Sequence, residues 1–81
     1  MSTSVFERIV LLRDFPSEGL RAGDVGRVVE RYPAIDSAPE AYEIEVFAAN
    51  GESVAVASIP ADAVRAATDR DVLTARILTP A

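Results

Sequence analysis

The run Gly23-Asp24-Val25-Gly26-Arg27-Val28-Val29-Glu30 does most to limit what this chain can become. Two glycines bracket Asp24-Val25 and lead straight into a valine-rich segment. Glycine admits positive φ and lets two backbones approach closely. A small sheet that must curl around its own core needs such points, because flat strands cannot close. Asp24 suits the same turn, since its carboxylate can accept hydrogen bonds from nearby backbone N–H groups. Val25, Val28 and Val29 do not alternate in step, which predicts a bulge or bend near Gly26. Further on, Asn50-Gly51 separates two strand-like runs. That dipeptide predicts a two-residue type I′ hairpin turn, with positive φ at both positions.

The other segments agree with a β reading. Phe6 to Arg13 is β-branched and apolar with charged ends, as a strand should be. Residues 14–23 form a loop by their Pro and Gly content, with Phe15 and Leu20 expected to tuck it down. The strand after Gly26 runs to Tyr32 and stops at Pro33. Residues 33–40 form a second loop with two prolines. Tyr42, Ile44 and Val46 then alternate with Glu43 and Glu45, which predicts an apolar inner and an acidic outer face. The return strand, Glu52 to Ile59, carries little charge and is expected to be covered on both faces or to pack at the barrel seam. Pro60 to Ala63 reads as one helical turn and Val64 to Ala67 as a closing strand. In the tail, Leu73, Ala75 and Ile77 alternate as in a strand, while Val72, Leu73, Arg76 and Ile77 also fit one side of a short helix; the strand is preferred.

These elements predict one all-β domain, a small five-stranded SH3-like barrel over residues 6–67. A frayed N-terminus over 1–5 precedes it, and a C-terminal extension over 68–81 follows. The turn before the last strand is a habit of SH3-like barrels, which is an analogy of fold and carries no function. An 81-residue chain makes a single domain with a modest core.

Composition excludes more than it assigns. With 49% apolar residues the chain is a folded type, not a disordered one. It has no cysteine and no histidine, so thiol chemistry, thiolate metal sites and the commonest general base are absent. Lysine is also missing, which fits a GC-rich genome better than special arginine chemistry. Thirteen acidic residues against eight arginines leave a net charge of −5. That balance argues against nucleic acid and anionic membranes, whose phosphates need a basic face. No apolar run approaches the roughly 18 residues that span a bilayer, and the first residues do not read as a secretory signal. A cytoplasmic location is the expectation.

The segments G-L-R-A-G-D-V-G-R-V-V-E-R-Y, Y-E-I-E-V-F and N-G-E-S-V-A-V-A-S-I-P-A-D-A-V-R resemble the small bacterial proteins of the DUF4926 family, a domain of unknown function. The resemblance covers residues 6–67 and implies an SH3-like barrel. It implies no activity and no catalytic or ligand residues. The chain departs from the pattern in its second loop, P-A-I-D-S-A-P, and in the tail after Ala67.

No residue constellation demands a particular chemistry. The serines lack a histidine or lysine to activate them, and Glu43 with Glu45 reads as a solvated face, so no enzyme is expected. Asp69 with Asp71, or Glu43 with Glu45, lacks the ligand spacing of a calcium loop. The Gly23–Gly26 pair precedes a strand, not a phosphate-binding helix, so Gly23, Asp24, Gly26, Asn50 and Gly51 are structural turn residues. No metal, cofactor or small-molecule substrate is expected. The G-D-x-G-x-V pattern also resembles KOW-type elements, which leaves weak RNA binding through Arg27 and Arg31 as a minor alternative. A proline-peptide groove would need more aromatics than three Phe and two Tyr without Trp. The leading expectation is a protein–protein interaction module, of the kind in which an antitoxin or immunity protein covers a basic partner. The alternative is self-assembly through the tail. Phe15, Tyr32, Ile35 and Phe47 on the loops, and Leu73 and Ile77 in the tail, are the candidate interface residues.

Overall fold

A computed structural model of the chain describes residues 7–78. The expected frayed stretch 1–5 and the last residues of the tail lie outside the described residues. Five strands form one antiparallel sheet: β1 (Arg8–Leu11), β2 (Val25–Tyr32), β3 (Ala41–Phe47), β4 (Ser53–Pro60) and β5 (Val64–Ala66). The spatial order is β4-β3-β2-β1-β5. A 3₁₀ turn at Ala61–Ala63 links β4 to β5, as the sequence predicts. The all-β, five-stranded architecture is therefore as expected, and its strand order is compatible with an SH3-like barrel. The ladder itself stays open, because β4 and β5 are the sheet's two edges and pair only with β3 and β1.

Alternation builds the core. Ile9 and Leu11 from β1, Val28 from β2, Tyr42 and Ile44 from β3, and Ala57 and Ile59 from β4 point inward. Leu20 joins them from the first loop and Ala63 and Val64 from the final turn. Ile9, Val28, Ile44 and Ile59 are fully buried, each contributing about 1.5–3 kcal/mol of hydrophobic stabilisation. Phe15 packs against this cluster and bridges to Leu20, so the first loop is anchored. β1 is shorter than the expected Phe6–Arg13 strand. Its pairing ends at Leu11, and Leu12 is half exposed.

Curvature comes from one close approach and two bulges. A Cβ on Gly26 would lie 2.4 Å from Ile44 Cγ2 and 3.0 Å from the Glu45 carbonyl oxygen. Only hydrogen fits between those two strands. The bulge expected near Gly26 falls three residues later. Val28 pairs with Ile44 and Glu30 with Glu43, leaving Val29 as the extra residue. Gly26 itself stays in register with Ile9. On β4, Val46 pairs with Ala55 and Phe47 with Ser53, so Val54 is the second extra residue.

The Asn50-Gly51 hairpin exists, but not with the expected turn. Gly51 has φ +88 and Asn50 is not in the positive region. The Gly51 N–H donates to the Ala48 carbonyl at 2.9 Å, and the Ala48 N–H to the Glu52 carbonyl at 2.8 Å. This is a three-residue loop, Ala49 to Gly51, whose last residue is left-handed and forms a bulge. The Asn50 side chain accepts from the Glu52 N–H at 3.1 Å instead of adopting the left-handed conformation itself. Two substitutions separate the turn types. Gly51→Val should lower stability by about 1–3 kcal/mol through backbone strain. Asn50→Ala should lose only one exposed hydrogen bond, about 0.5–1 kcal/mol. Equal losses in urea unfolding would restore the type I′ turn.

Candidate functional site

The outer side of the sheet divides into two halves. Over β1, β2 and β5 the C-terminal segment returns and covers it. The tail is neither the expected strand nor a helix; residues 71–78 have no regular secondary structure. Side-chain clasps place it. The Arg65 guanidinium donates to both Asp71 carboxylate oxygens, at 2.6 and 3.0 Å. Asp71 also accepts from the Thr68 N–H and hydroxyl. These donors, Arg65 first, hold the Asp71 pKa well below the usual carboxylate range. Leu73 then joins Arg8, Val25, Ala67 and Thr68 around a shallow depression of about 310 Å³. Arg76 Nε donates to Asp24 Oδ1 at 2.9 Å, and Nη2 donates to Asp24 Oδ2 and to the Gly19 carbonyl. Finally Leu78 packs against the core.

This strap explains Val10. Between inward-pointing Ile9 and Leu11 it faces outward, next to Val25 and Arg65 in register, yet it is only 6% exposed. The strap passes over that row. A strand buried on both faces should read as continuously apolar, and Ile9-Val10-Leu11 does.

Over β2, β3 and β4 the outer face is bare and acidic. Glu30 stands directly opposite Glu43 on the neighbouring strand, with Glu45 two residues along. None of the three has an ion-pair partner among the described residues. Like charges directly opposite each other on adjacent strands are destabilising. Tyr32, 43% exposed, lies beside them. Partial desolvation, then the charges of Glu43 and Glu30, push its phenol pKa up. Arg27 pairs in register with Glu45 on one side and with Arg8 on the other. Its guanidinium rests 5.7 Å from the centre of the Phe47 ring, and its Nε is buried without a hydrogen-bond partner.

β4 closes this face as an edge. Of the two placements expected for it, cover on both faces is not found, and an edge position is what a strand at the seam would have. Val54, Val56 and Ser58 are exposed, and only Ala57 and Ile59 are buried. Its low charge belongs to an uncovered edge, since the strand has a neighbour on one side only.

Comparison with protein families matches residues 5–66, most of the chain, to the domain of unknown function DUF4926. The chain belongs to the DUF4926 family. No curated protein matches it, and no solved structure does. The family assignment brings no chemistry with it, so the residues of this DUF4926 chain must supply the functional argument.

The candidate interface residues separate accordingly. Phe15 is tied to the core. Tyr32, Ile35 and Phe47 are exposed, Ile35 at a tight turn where Asp36 has φ +53 and Ile35 bridges to Ala38. Leu73 and Ile77 ride on the outer surface of the strap, 66% and 89% exposed. Gly23 has positive φ, and Asp24 does more than the expected turn, accepting from the Arg21 N–H as well as from Arg76. Sequence reasoning missed the Glu30–Glu43 juxtaposition, Val54, Val56 and the Arg76–Asp24 pair. The last spans 52 positions and leaves no local signal.

No group of three or more metal-ligating side chains occurs among the described residues, and no helix among them is long and apolar enough to cross a membrane.

The Asp24–Arg76 clasp has a pH signature. Burial acts to raise the Asp24 pKa, but the hydrogen bonds from Arg76 and the Arg21 N–H outweigh it and hold the pKa below 3.8. A lowered folded pKa means the contribution is fully present above the unfolded value and lost as pH falls through the folded one. Arg76→Ala should cost about 1 kcal/mol at neutral pH, a charged hydrogen-bonded pair moderated by solvent. The cost should shrink as Asp24 protonates. A loss of stability independent of pH between neutrality and the acid limb would contradict the clasp.

Proposed function

We propose that this DUF4926 protein is a non-enzymatic protein-binding module that receives a basic segment of a larger partner on its acidic outer face. The contact surface comprises Glu30, Glu43 and Glu45 with Tyr32 at their side. The role resembles that of an antitoxin or immunity protein, whose acidic surface covers a basic site on its target.

The observation that carries this reading is the register of Glu30 against Glu43. The pair costs stability in the isolated domain, on the order of 0.2–1 kcal/mol. A guanidinium or ammonium group placed between the carboxylates reverses the sign of that interaction. Four other acids are already used: Glu40 by Arg31 at 2.6 Å, Asp62 by Arg13 at 3.3 Å, Asp24 by Arg76 and Asp71 by Arg65. Glu30, Glu43 and Glu45 are three unspent carboxylates grouped on one face. Tyr32 offers a rigid amphipathic ring of the type that anchors interfaces. Opposite charge on the partner would act mainly on the association rate and on specificity.

The test uses two readouts that move in opposite directions. Glu30→Gln with Glu43→Gln should raise unfolding stability by about 0.2–1 kcal/mol. The same double variant should fail to retain a basic, stoichiometric partner that the unaltered protein captures from native extract at low salt. Capture that is unchanged in the double variant, or recovery of the bait alone, removes the proposed surface.

A further inference from the structure

The sheet has two edges, and they are treated differently. β5 is three residues long. The chain turns back beside it at once, with Asp71 clasped to Arg65, so little edge is left to pair. β4 is eight residues long, Ser53 to Pro60, and its far side has no strand neighbour among the described residues. Natural edges are usually blunted by charges, prolines or bulges. Here the interior of the edge, Ala55 to Ile59, carries none of these. The bulge at Val54 and Pro60 stand at its two ends and limit the pairing segment to the residues between them.

We propose that β4 pairs antiparallel with β4 of a second copy of this chain, giving a two-fold dimer with one continuous sheet across both subunits. Charge selects the occupant. Each copy carries a net −5, so two copies repel wherever their acidic surfaces meet. From Ser53 to Ala61 no residue is charged, so two copies can pair there with no like charges on the meeting strands. Strand addition satisfies the backbone groups that the edge leaves open.

The segment is also self-complementary, as a two-fold interface requires. With the axis at Val56, each Val56 faces its counterpart and each Ala55 faces Ala57 of the second copy, with Ser58 beside the axis. Val56 is 52% exposed in the single chain and would be covered. Because the two-fold contact uses β4 of both copies and leaves only the three-residue β5 edges, the assembly closes at two subunits instead of growing into a filament. The acidic faces of the two copies lie on the same side of the joined sheet, with Glu45 one strand away from the axis residue Val56. The dimer uses the backbone edge of β4 and the partner surface uses carboxylates of β2 and β3, so either can fail alone.

The chain contains no cysteine, which permits a clean crosslink. Full-length protein should sediment at twice 8.6 kDa at high concentration and dissociate on dilution. Val56→Cys should form an intermolecular disulfide under mild oxidation, and Val72→Cys, on the exposed strap, should not. Val56→Lys, which sets two like charges at the axis, should give a folded monomer, as should Ser58→Glu. Val72→Lys should leave the dimer intact. A protein that stays monomeric at about 1 mM would overturn the proposal. So would folded Val56→Lys and Ser58→Glu variants that remain dimeric, or crosslinking through Val72 in preference to Val56.

Discussion

The contact between Gly26 and the third strand is the constraint on which the rest of the molecule depends. Strands this short enclose a core only if the sheet bends sharply, and it bends where Ile44 and the Glu45 carbonyl press against a residue without a side chain. The extra residues at Val29 and Val54 take up the mismatch on either side. The Val29 bulge also sets which residues share a row beyond it. Had β2 continued in simple register past Val28, Val29 and not Glu30 would stand opposite Glu43. The acidic juxtaposition is thus a consequence of how the sheet is curved.

The two halves of the outer surface follow from the same geometry. Near β1 the curved sheet presents Val10 and Val25 outward, an apolar strip that water would contact. The C-terminal segment covers it, held by Arg65–Asp71 at one end and Arg76–Asp24 at the other. Asp24 couples that cover to the tight turn after the first loop, because one carboxylate serves both the Arg21 N–H and the Arg76 guanidinium. On the β4 side no segment among the described residues returns. That half keeps its unpaired carboxylates, its exposed valines and its open edge. The asymmetry places a basic partner and a second copy on the same half, on different elements.

Much of this was legible because local signals and tertiary demands agreed. Tyr42-Glu43-Ile44-Glu45-Val46 reads as a half-buried strand and is one. Pro60-Ala61-Asp62-Ala63 reads as a single turn before a last strand, and the Pro and Gly content of residues 14–23 reads as a loop. Two features were misread and one was left open, for physical reasons. Asn50-Gly51 satisfies more than one turn geometry, and the loop length that decides between them is set by the register of the strands. The bulge was drawn toward Gly26 because glycine is the usual mark of a bulge, whereas this glycine serves a close approach. The uncharged run Ser53 to Ile59 looks the same whether a strand is covered on both faces or stands at an unguarded edge. The tail was the least legible. Only its end alternates, with Arg76 and Leu78 turned inward and Ile77 outward, and it faces side chains and not a neighbouring strand. The carboxylate that receives Arg76 lies far away in sequence.

The outer face of the sheet is covered on its β5 side and bare on its β4 side. Valine methyl groups report on both at once. Relaxation of the methyl resonances by a soluble paramagnetic agent, in dilute full-length protein, measures how closely solvent reaches each side chain. The account predicts that Val10 is as well shielded as Val28 in the core, while Val54 and Val56 are strongly relaxed. Val10 methyls relaxed as strongly as those of Val56 would show that the strap does not cover the sheet, and would contradict the account.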